Sequence, residues 1–275
     1  MNRNSRPISR EDEGFFHREG YLVIPSFLKT EFNARLRTDL DQLMLDRKNK
    51  SERLLVGYPE LGLLTSHPAL IDILQTLMGR NFAMHHIHAV RQDAGTQGVY
   101  WHQDYEQLPQ TNRSHLMVHV FYYLNGLNGE VGDLLVLPCS QDRIVARDAM
   151  MSFGTEDLPG SLCFDDLSPG SAVIVHSALW HARRPKSGGE DESRYFIDVS
   201  YCQNGVLWPT YGGMKRHTEI NRTALAQGLG RNGRYDFLYD TTQFFDQEAF
   251  TENFNQTNKG SIVLQMKGIS MGDQD

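Results

Sequence analysis

Cysteine is scarce in this chain of 275 residues, which holds three, Cys139, Cys163 and Cys202, odd in number and widely spaced. That spacing argues against a disulfide framework and a cysteine-based metal cluster, and it points to reduced thiols in the cytosol. Long apolar runs are missing as well. No stretch approaches the roughly 20 apolar residues that a membrane-spanning helix needs. The basic start Met1–Arg6 is not followed by the apolar segment of a secretory signal, and Gly272-Asp273-Gln274-Asp275 is no peroxisomal tripeptide. Positive charge is in deficit, and a formal net charge of −7 disfavours nucleic acid as a partner. Internal repeats and low-complexity segments are lacking too. The expectation is a cytosolic protein that handles a small molecule; nothing in the sequence speaks to its oligomeric state.

What is present is apolar material, 40% of the chain, enough for a large core in one β-barrel or sandwich or in two small domains. The N-terminal part reads as helical. Ser9 can cap a helix that runs to about His17 and ends at Gly20, and Tyr21-Leu22-Val23-Ile24 is a short strand stopped by Pro25. Phe32, Leu36, Leu40, Leu43 and Met44 form a stripe on a helix from Lys29 to about Arg47. A further helix runs from His67 to Met78, with Gly79 as its stop. Leu54 to Leu64 shows no clear pattern.

Strands follow, at Phe82–Val90, around His102, at Ser114–Leu124, Leu134–Pro138, Ser171–His176 and Arg194–Tyr201. Gly and Pro punctuate them. The predicted fold is mainly β, a sandwich-like core with helices packed outside. One domain is expected, helical over about 9–80, β over about 82–202, with a C-terminal packing segment over about 203–275 that includes a helix at Thr218–Gly228 and an aromatic-rich stretch at Tyr235–Phe250. Glu106–Arg113 is expected at a pocket rim, residues 141–168 as a polar excursion suited to a lid, and Arg183–Glu192 as a charged connection.

The chemistry gathers around Tyr100-Trp101-His102-Gln103-Asp104-Tyr105. In an extended chain His102 and Asp104 point the same way and Gln103 the other. Imidazole and carboxylate together supply two thirds of a metal site. The second imidazole must come from elsewhere; His181 is the best candidate, with His176 in competition. Two His and one carboxylate leave three metal positions open, as in non-heme Fe(II) oxygenases. His86 and His88 share one strand face, with His85 and Arg91 on the other. They lack a third ligand nearby and are read as pocket lining, as are Tyr105 and Tyr123.

His102-Gln103-Asp104, His181 and Arg194 together resemble the phytanoyl-CoA dioxygenase-like family of Fe(II)/2-oxoglutarate oxygenases. The resemblance covers roughly Gly14 to Tyr201. It includes the opening Phe15-Phe16-His17-Arg18-Glu19-Gly20-Tyr21-Leu22-Val23-Ile24-Pro25, the motif Trp101-His102-Gln103-Asp104-Tyr105, and Pro169-Gly170-Ser171 through His181 to Arg194. It implies a double-stranded β-helix, or jelly roll. It implies His102, Asp104 and His181 as Fe(II) ligands, and Arg194, assisted by Ser193, as the cofactor-binding pair for the distal carboxylate of 2-oxoglutarate. A planar guanidinium suits that task because it pairs with a carboxylate bidentately and stays charged.

The chain departs from the family pattern at Pro138-Cys139-Ser140-Gln141, at Val90, where an Asn is frequent, and at Ala182, where Gly is usual. The reaction implied is hydroxylation of an unactivated C–H with O2, releasing succinate and CO2. Asp104 disfavours halogenation, which needs that carboxylate replaced. Arg91, Arg183, Arg184 and Lys186, with His86 and His88, leave an anionic substrate group open. Two rival readings use the same residues. A cupin-type Zn or Mn hydrolase or isomerase leaves Arg194 without a role, and a non-catalytic jelly-roll binding protein leaves an intact triad unexplained.

Overall fold

The computed structural model describes residues 8–93, 95–105, 114–143, 149–186, 193–247 and 249. The chain opens on α1 (Arg10–Glu19), whose start is a reciprocal capping box between Ser9 and Asp12 and whose end is Gly20 in the left-handed region at φ 84°. β1 (Tyr21–Ile24) follows directly. Three helices come next, α2 (Thr30–Lys48), α3 (Pro59–Thr65) and α4 (Pro68–Met78), the last two each carrying a proline in the first turn. The patternless stretch before α4 thus folds as a 3-10 turn at Leu55–Gly57 and the short α3, which buries Leu61 and Leu64.

The strands are β2 (Phe82–Gln92), β3 (Val99–His102), β4 (Met117–Tyr123), β5 (Leu134–Val136), β6 (Leu162–Phe164), β7 (Ser171–His176), β8 (His181–Arg183) and β9 (Arg194–Gln203). They form two antiparallel sheets, ordered β1-β7-β4-β9-β2 and β3-β8-β5-β6. This is the expected jelly roll. After it, β10 (Trp208–Pro209) pairs in parallel with β11 (Phe244–Phe245), and α5 (Met214–Ala226) lies between them in sequence, starting earlier than its periodicity suggested.

Alternation sorts the larger sheet into two faces. Val118, Val120 and Tyr122 of β4, with Tyr195, Ile197, Val199 and Tyr201 of β9, join the leucines of α2, α3 and α4 in the main core. The intervening residues point the other way, toward the smaller sheet. β2 reaches the same arrangement only through a bulge. Phe82 and Met84 face the helices, the register shifts between Met84 and His86, and Ile87 and Ala89 then face the helices instead. One extra residue therefore turns His86, His88, Val90 and Gln92 inward. It also overturns the expectation for His85, which lies not across the strand from His86 but against it, the two Nδ1 atoms 2.9 Å apart.

The polar excursion is corrected as well. Leu162-Cys163-Phe164 are apolar enough to add β6 to the edge of the smaller sheet, opposite Leu134-Leu135-Val136. Residues 144–148 of that stretch, the expected rim at 106–113, and 187–192 of the charged connection lie outside the described residues. The aromatic C-terminal stretch packs inward as expected. Tyr235, Leu238 and Tyr239 enter the main core, and Phe244 meets Ala83, Met117 and Trp208.

Candidate metal centre

Antiparallel pairing of β3 with β8 sets His102 opposite His181. Alternation continues past the last residue of β3, so Trp101, Gln103 and Tyr105 are buried on one side while His102 and Asp104 point to the other. The backbone N–H of Asp104 donates to the Ser177 carbonyl at 2.8 Å, tying the motif to the β7–β8 connection. Asp104 Oδ2 lies 3.1 Å from His181 Nε2, and Oδ1 lies 3.5 Å from His102 Nε2. The three candidate ligand atoms fall within 4.8 Å of one another.

The tautomers suit a metal. His102 Nδ1 sits 2.7 Å from the Tyr100 carbonyl and His181 Nδ1 3.0 Å from that of Leu179. A carbonyl only accepts, so each Nδ1 carries its proton, and each Nε2, the nitrogen nearer Asp104, is the one left to ligate a metal. Burial works to raise the Asp104 pKa, but the imidazoles of His181, His119 and His102 outweigh it and hold the carboxyl well below its usual range. Two imidazoles and one carboxylate whose ligand atoms converge fit a divalent iron. His176 does not take part, since its Nδ1 accepts from the Ala178 N–H and its ring stacks on Tyr105.

The triad lines a cavity of about 360 Å³ between the sheets. The inner face of the larger sheet crosses it in rungs. Gln92 is paired with Arg194, Val90 with Phe196, His88 with Asp198, and His86 with Ser200. On the other side of β9, Tyr123, Phe121 and His119 of β4 continue the last three rungs.

Arg194 is only 2% exposed, and its Nη1 donates to Gln92 Oε1 at 2.8 Å. Its guanidinium lies 4.5 Å from the Phe196 ring and 5.3 Å from that of Tyr123. Burial pulls its pKa down to about 10, so it remains cationic at neutral pH. Its Nε makes no hydrogen bond among the described residues. A buried cation with an unmatched donor, in the same cavity as the triad, fits the carboxylate of 2-oxoglutarate.

Other expected residues fare differently. Tyr123, His86 and His88 line the cavity. Ser193 does not, because it precedes Arg194 and points the opposite way, its hydroxyl bonded to Asp93. Tyr105 is also displaced from the pocket; it is core, donating to the His115 carbonyl at 2.7 Å and packing on Trp208. Arg91 pairs with Asp41 and Asp93, and Arg184 with Asp157. Of the four cations weighed for an anionic substrate, Arg183 lines the cavity.

Sequence reasoning missed Gln92, His119, Asp198 and Tyr211 as lining residues. Extending β2 by two positions would have revealed Gln92, on the face of His86 and His88. The partners absent beside His86 in sequence come from other strands, so that His86, His119 and Asp198 also bring ligand-type atoms within 4.8 Å. Tyr211 carries no periodic signal.

Residues 48–191 match the family described as phytanoyl-CoA dioxygenase (PhyH). The chain belongs to the PhyH family. It is accordingly an oxidoreductase that depends on Fe(II), 2-oxoglutarate and O2. Solved structures share the PhyH fold. HygX from Streptomyces hygroscopicus with nickel and 2-oxoglutarate bound is 16% identical over 74% of this chain and 91% of that chain, with a TM-score of 0.60. The non-heme alpha-ketoglutarate-dependent carbocyclase SnoK from nogalamycin biosynthesis is 20% identical over 71% and 84%, at 0.57. EctD from S. alaskensis with 2-oxoglutarate and 5-hydroxyectoine is 17% identical over 73% and 78%, at 0.56. At these identities the likeness speaks to fold alone. No match is found among curated proteins.

Proposed function

We propose that this PhyH-family enzyme hydroxylates an unactivated C–H bond of a small molecule, with His102, Asp104 and His181 holding its iron and Arg194 the distal carboxylate of 2-oxoglutarate. The observation that carries the reading is the pairing, in one cavity, of a converging His-Asp-His triad with a buried guanidinium whose Nε makes no hydrogen bond among the described residues. When bound, Fe(II) and 2-oxoglutarate supply the oxidative decarboxylation to succinate and CO2 and the oxidising power directed at the substrate.

The protein's part is placement. Carbonyls of Tyr100 and Leu179 hold the two imidazoles in register. Gln92 orients Arg194, and Phe196 and Phe121 line the cavity shared by the guanidinium and the triad. A cavity of about 360 Å³ must take both the cosubstrate and the reacting part of the substrate, which favours a small molecule. With Arg194 given to the cosubstrate, Arg183 is the cavity cation left for an anionic substrate group. The three cysteines are free, and no helix among the described residues is long and apolar enough to cross a membrane. Both observations support a cytosolic setting.

The test is anaerobic titration of the apoprotein with Fe(II) and 2-oxoglutarate, following the visible charge-transfer band of the chelate. Wild type should develop the band, and His181→Ala and Arg194→Ala should fail to do so under the same conditions. No band in a folded wild-type protein would sink the assignment and favour the cupin-type hydrolase.

A further inference from the structure

The cationic end of the cavity is rich in donors and short of acceptors. Arg194 of β9 and Arg183 of β8 both give a hydrogen to the same atom, Gln92 Oε1, from Nη1 at 2.8 Å and from Nη1 at 3.2 Å. A carbonyl oxygen has two lone pairs, so these two bonds use up what Gln92 can accept. Arg194 keeps an Nε hydrogen that makes no bond among the described residues.

Tyr123 adds a second unspent donor. It pairs with Phe196 across β4 and β9, and alternation sends its ring into the cavity, 5.3 Å from the Arg194 guanidinium. The side chain is 1% exposed, and its hydroxyl has no hydrogen-bond partner among the described residues. Burial pushes the phenol up to about 12, against the pull of Arg194 and Arg183, so the proton stays on the oxygen at neutral pH. Arg194 cannot relieve it. A guanidinium only donates, so it can give the phenol oxygen a hydrogen but cannot take the phenol's own. Asp198 can accept, yet it sits on the next rung, opposite Phe121, with both oxygens turned to His119 Nδ1. A phenylalanine here would pack on Phe196 equally well and avoid the cost of a buried, unmatched donor. The hydroxyl is matched only when an acceptor enters the cavity.

We infer that the Tyr123 hydroxyl donates to the distal carboxylate of 2-oxoglutarate, sharing it with Arg194 and taking the place that Ser193 does not fill. The inference rests on the oxygenase reading above, because it names a further binding residue of that same site. A carboxylate supplies what this end lacks, two oxygens with lone pairs to spare and a negative charge. It can accept from the guanidinium and from the phenol together, and a hydrogen bond from a hydroxyl to an ionised acceptor is of the stronger kind. Ser193 cannot share the carboxylate, since its hydroxyl is bonded to Asp93 on the opposite side of the strand. The assisting donor therefore comes from β4, across the sheet, and not from the residue beside the arginine.

The experiment is titration of the anaerobic Fe(II) protein with 2-oxoglutarate and, in parallel, with 2-oxovalerate, which carries a methyl group where the distal carboxylate stands. The charge-transfer band of the chelate reports both. Tyr123→Phe should bind 2-oxoglutarate about ten-fold or more weakly than wild type, the scale of a hydrogen bond to a charged group. It should bind 2-oxovalerate and Fe(II) as wild type does, and Fe(II) affinity serves as the control if 2-oxovalerate binds too weakly to give a band. Ser193→Ala should keep its affinity for 2-oxoglutarate. With iron but without cosubstrate, Tyr123→Phe should melt no lower than wild type, because the lost hydroxyl had no acceptor there. Undiminished 2-oxoglutarate binding in Tyr123→Phe, an equal loss for both keto acids, or a loss as large in Ser193→Ala would overturn the inference. So would a Tyr123→Phe protein that melts well below wild type or does not fold, since the hydroxyl would then have a structural partner. A wild-type protein without the band takes down the oxygenase reading and this inference together; a band that Tyr123→Phe leaves unchanged takes down this inference alone.

Discussion

His102 and His181 are cross-strand partners whose rings lie 4.2 Å apart, and Asp104 reaches both of them from the residues just beyond β3. Each imidazole is held through Nδ1 by a carbonyl two residues before it, so the pair is set before any metal arrives. Removing a residue that merely orients a ligand costs about 10- to 100-fold in metal affinity. His181→Ala and Asp104→Ala should each exceed that loss in an Fe(II) titration. His176→Ala, by contrast, should retain iron binding. Equal losses in all three variants would reopen the choice between His176 and His181.

Asn125 grips the backbone on both sides of Arg194. Its Nδ2 donates to the Ser193 carbonyl at 2.7 Å, and its Oδ1 accepts from the Tyr195 N–H at 3.1 Å. Two such bonds are worth about 1 kcal/mol each. Asn125→Ala should raise the KM for 2-oxoglutarate about ten-fold, with Fe(II) affinity unchanged. A fall in iron affinity of the same size would mean a general loss of structure instead.

Arg194→Lys should not restore what Arg194→Ala loses. Lysine presents a point charge on a flexible stem, whereas the guanidinium here is clamped by Gln92 and flanked by Phe196 and Tyr123. The comparison is of KM for 2-oxoglutarate across the three proteins. A lysine variant close to wild type would show that charge alone suffices.

His217 gives the fold an acid-sensitive point remote in sequence from the triad. Its ring packs 4.1 Å from that of Phe244, and burial, with a smaller effect from His86, lowers its pKa from 6.5 to about 4. Between those values the unfolded chain binds the proton and the folded one does not, so stability falls as pH falls through that window. The loss amounts to about 3 kcal/mol at its acid end. His217→Leu should flatten the fall in melting temperature across the window, and an unchanged slope would assign the acid sensitivity elsewhere.

Gly126 sits at φ 81° in the turn after β4, and a Cβ there would run into the Leu167 carbonyl, whose partner across the Leu127–Leu167 bridge is the next residue. Gly126→Ala should cost at least about 1–3 kcal/mol through backbone strain, read as a lowered melting temperature. Gly160 also has positive φ, 83°, but open space around it. Gly160→Ala should therefore cost less.

The local rules of the chain were readable without its fold. Ser9, Asp12 and Gly20 mark both ends of α1 because caps depend on neighbours within one turn. Alternation placed His119, Phe121 and Tyr123 on one face of β4, and Arg194, Phe196, Asp198 and Ser200 on one face of β9, because side-chain direction in a strand depends on position alone. His102 and Asp104, with His181 as the best second imidazole, stood out because few residue types can ligate iron, whereas the role of Arg194 and the choice of His181 over His176 came from the family resemblance.

Direction along a strand does not say which strands become neighbours. That Asp198 meets His119 and His86, that Asn125 straddles Arg194, and that Ser193 and Tyr105 turn away from the cavity all follow from pairing between segments tens of residues apart. The bulge at His85 is the sharpest case. Alternation continued straight from Phe82 would have sent His86 and His88 toward the helices, and one unpaired residue, accommodated where β2 meets β9, turns them into the cavity instead. Local preference sets each side chain's parity, but the burial of two opposed faces at once sets the register, and that is a property of the assembled sheets.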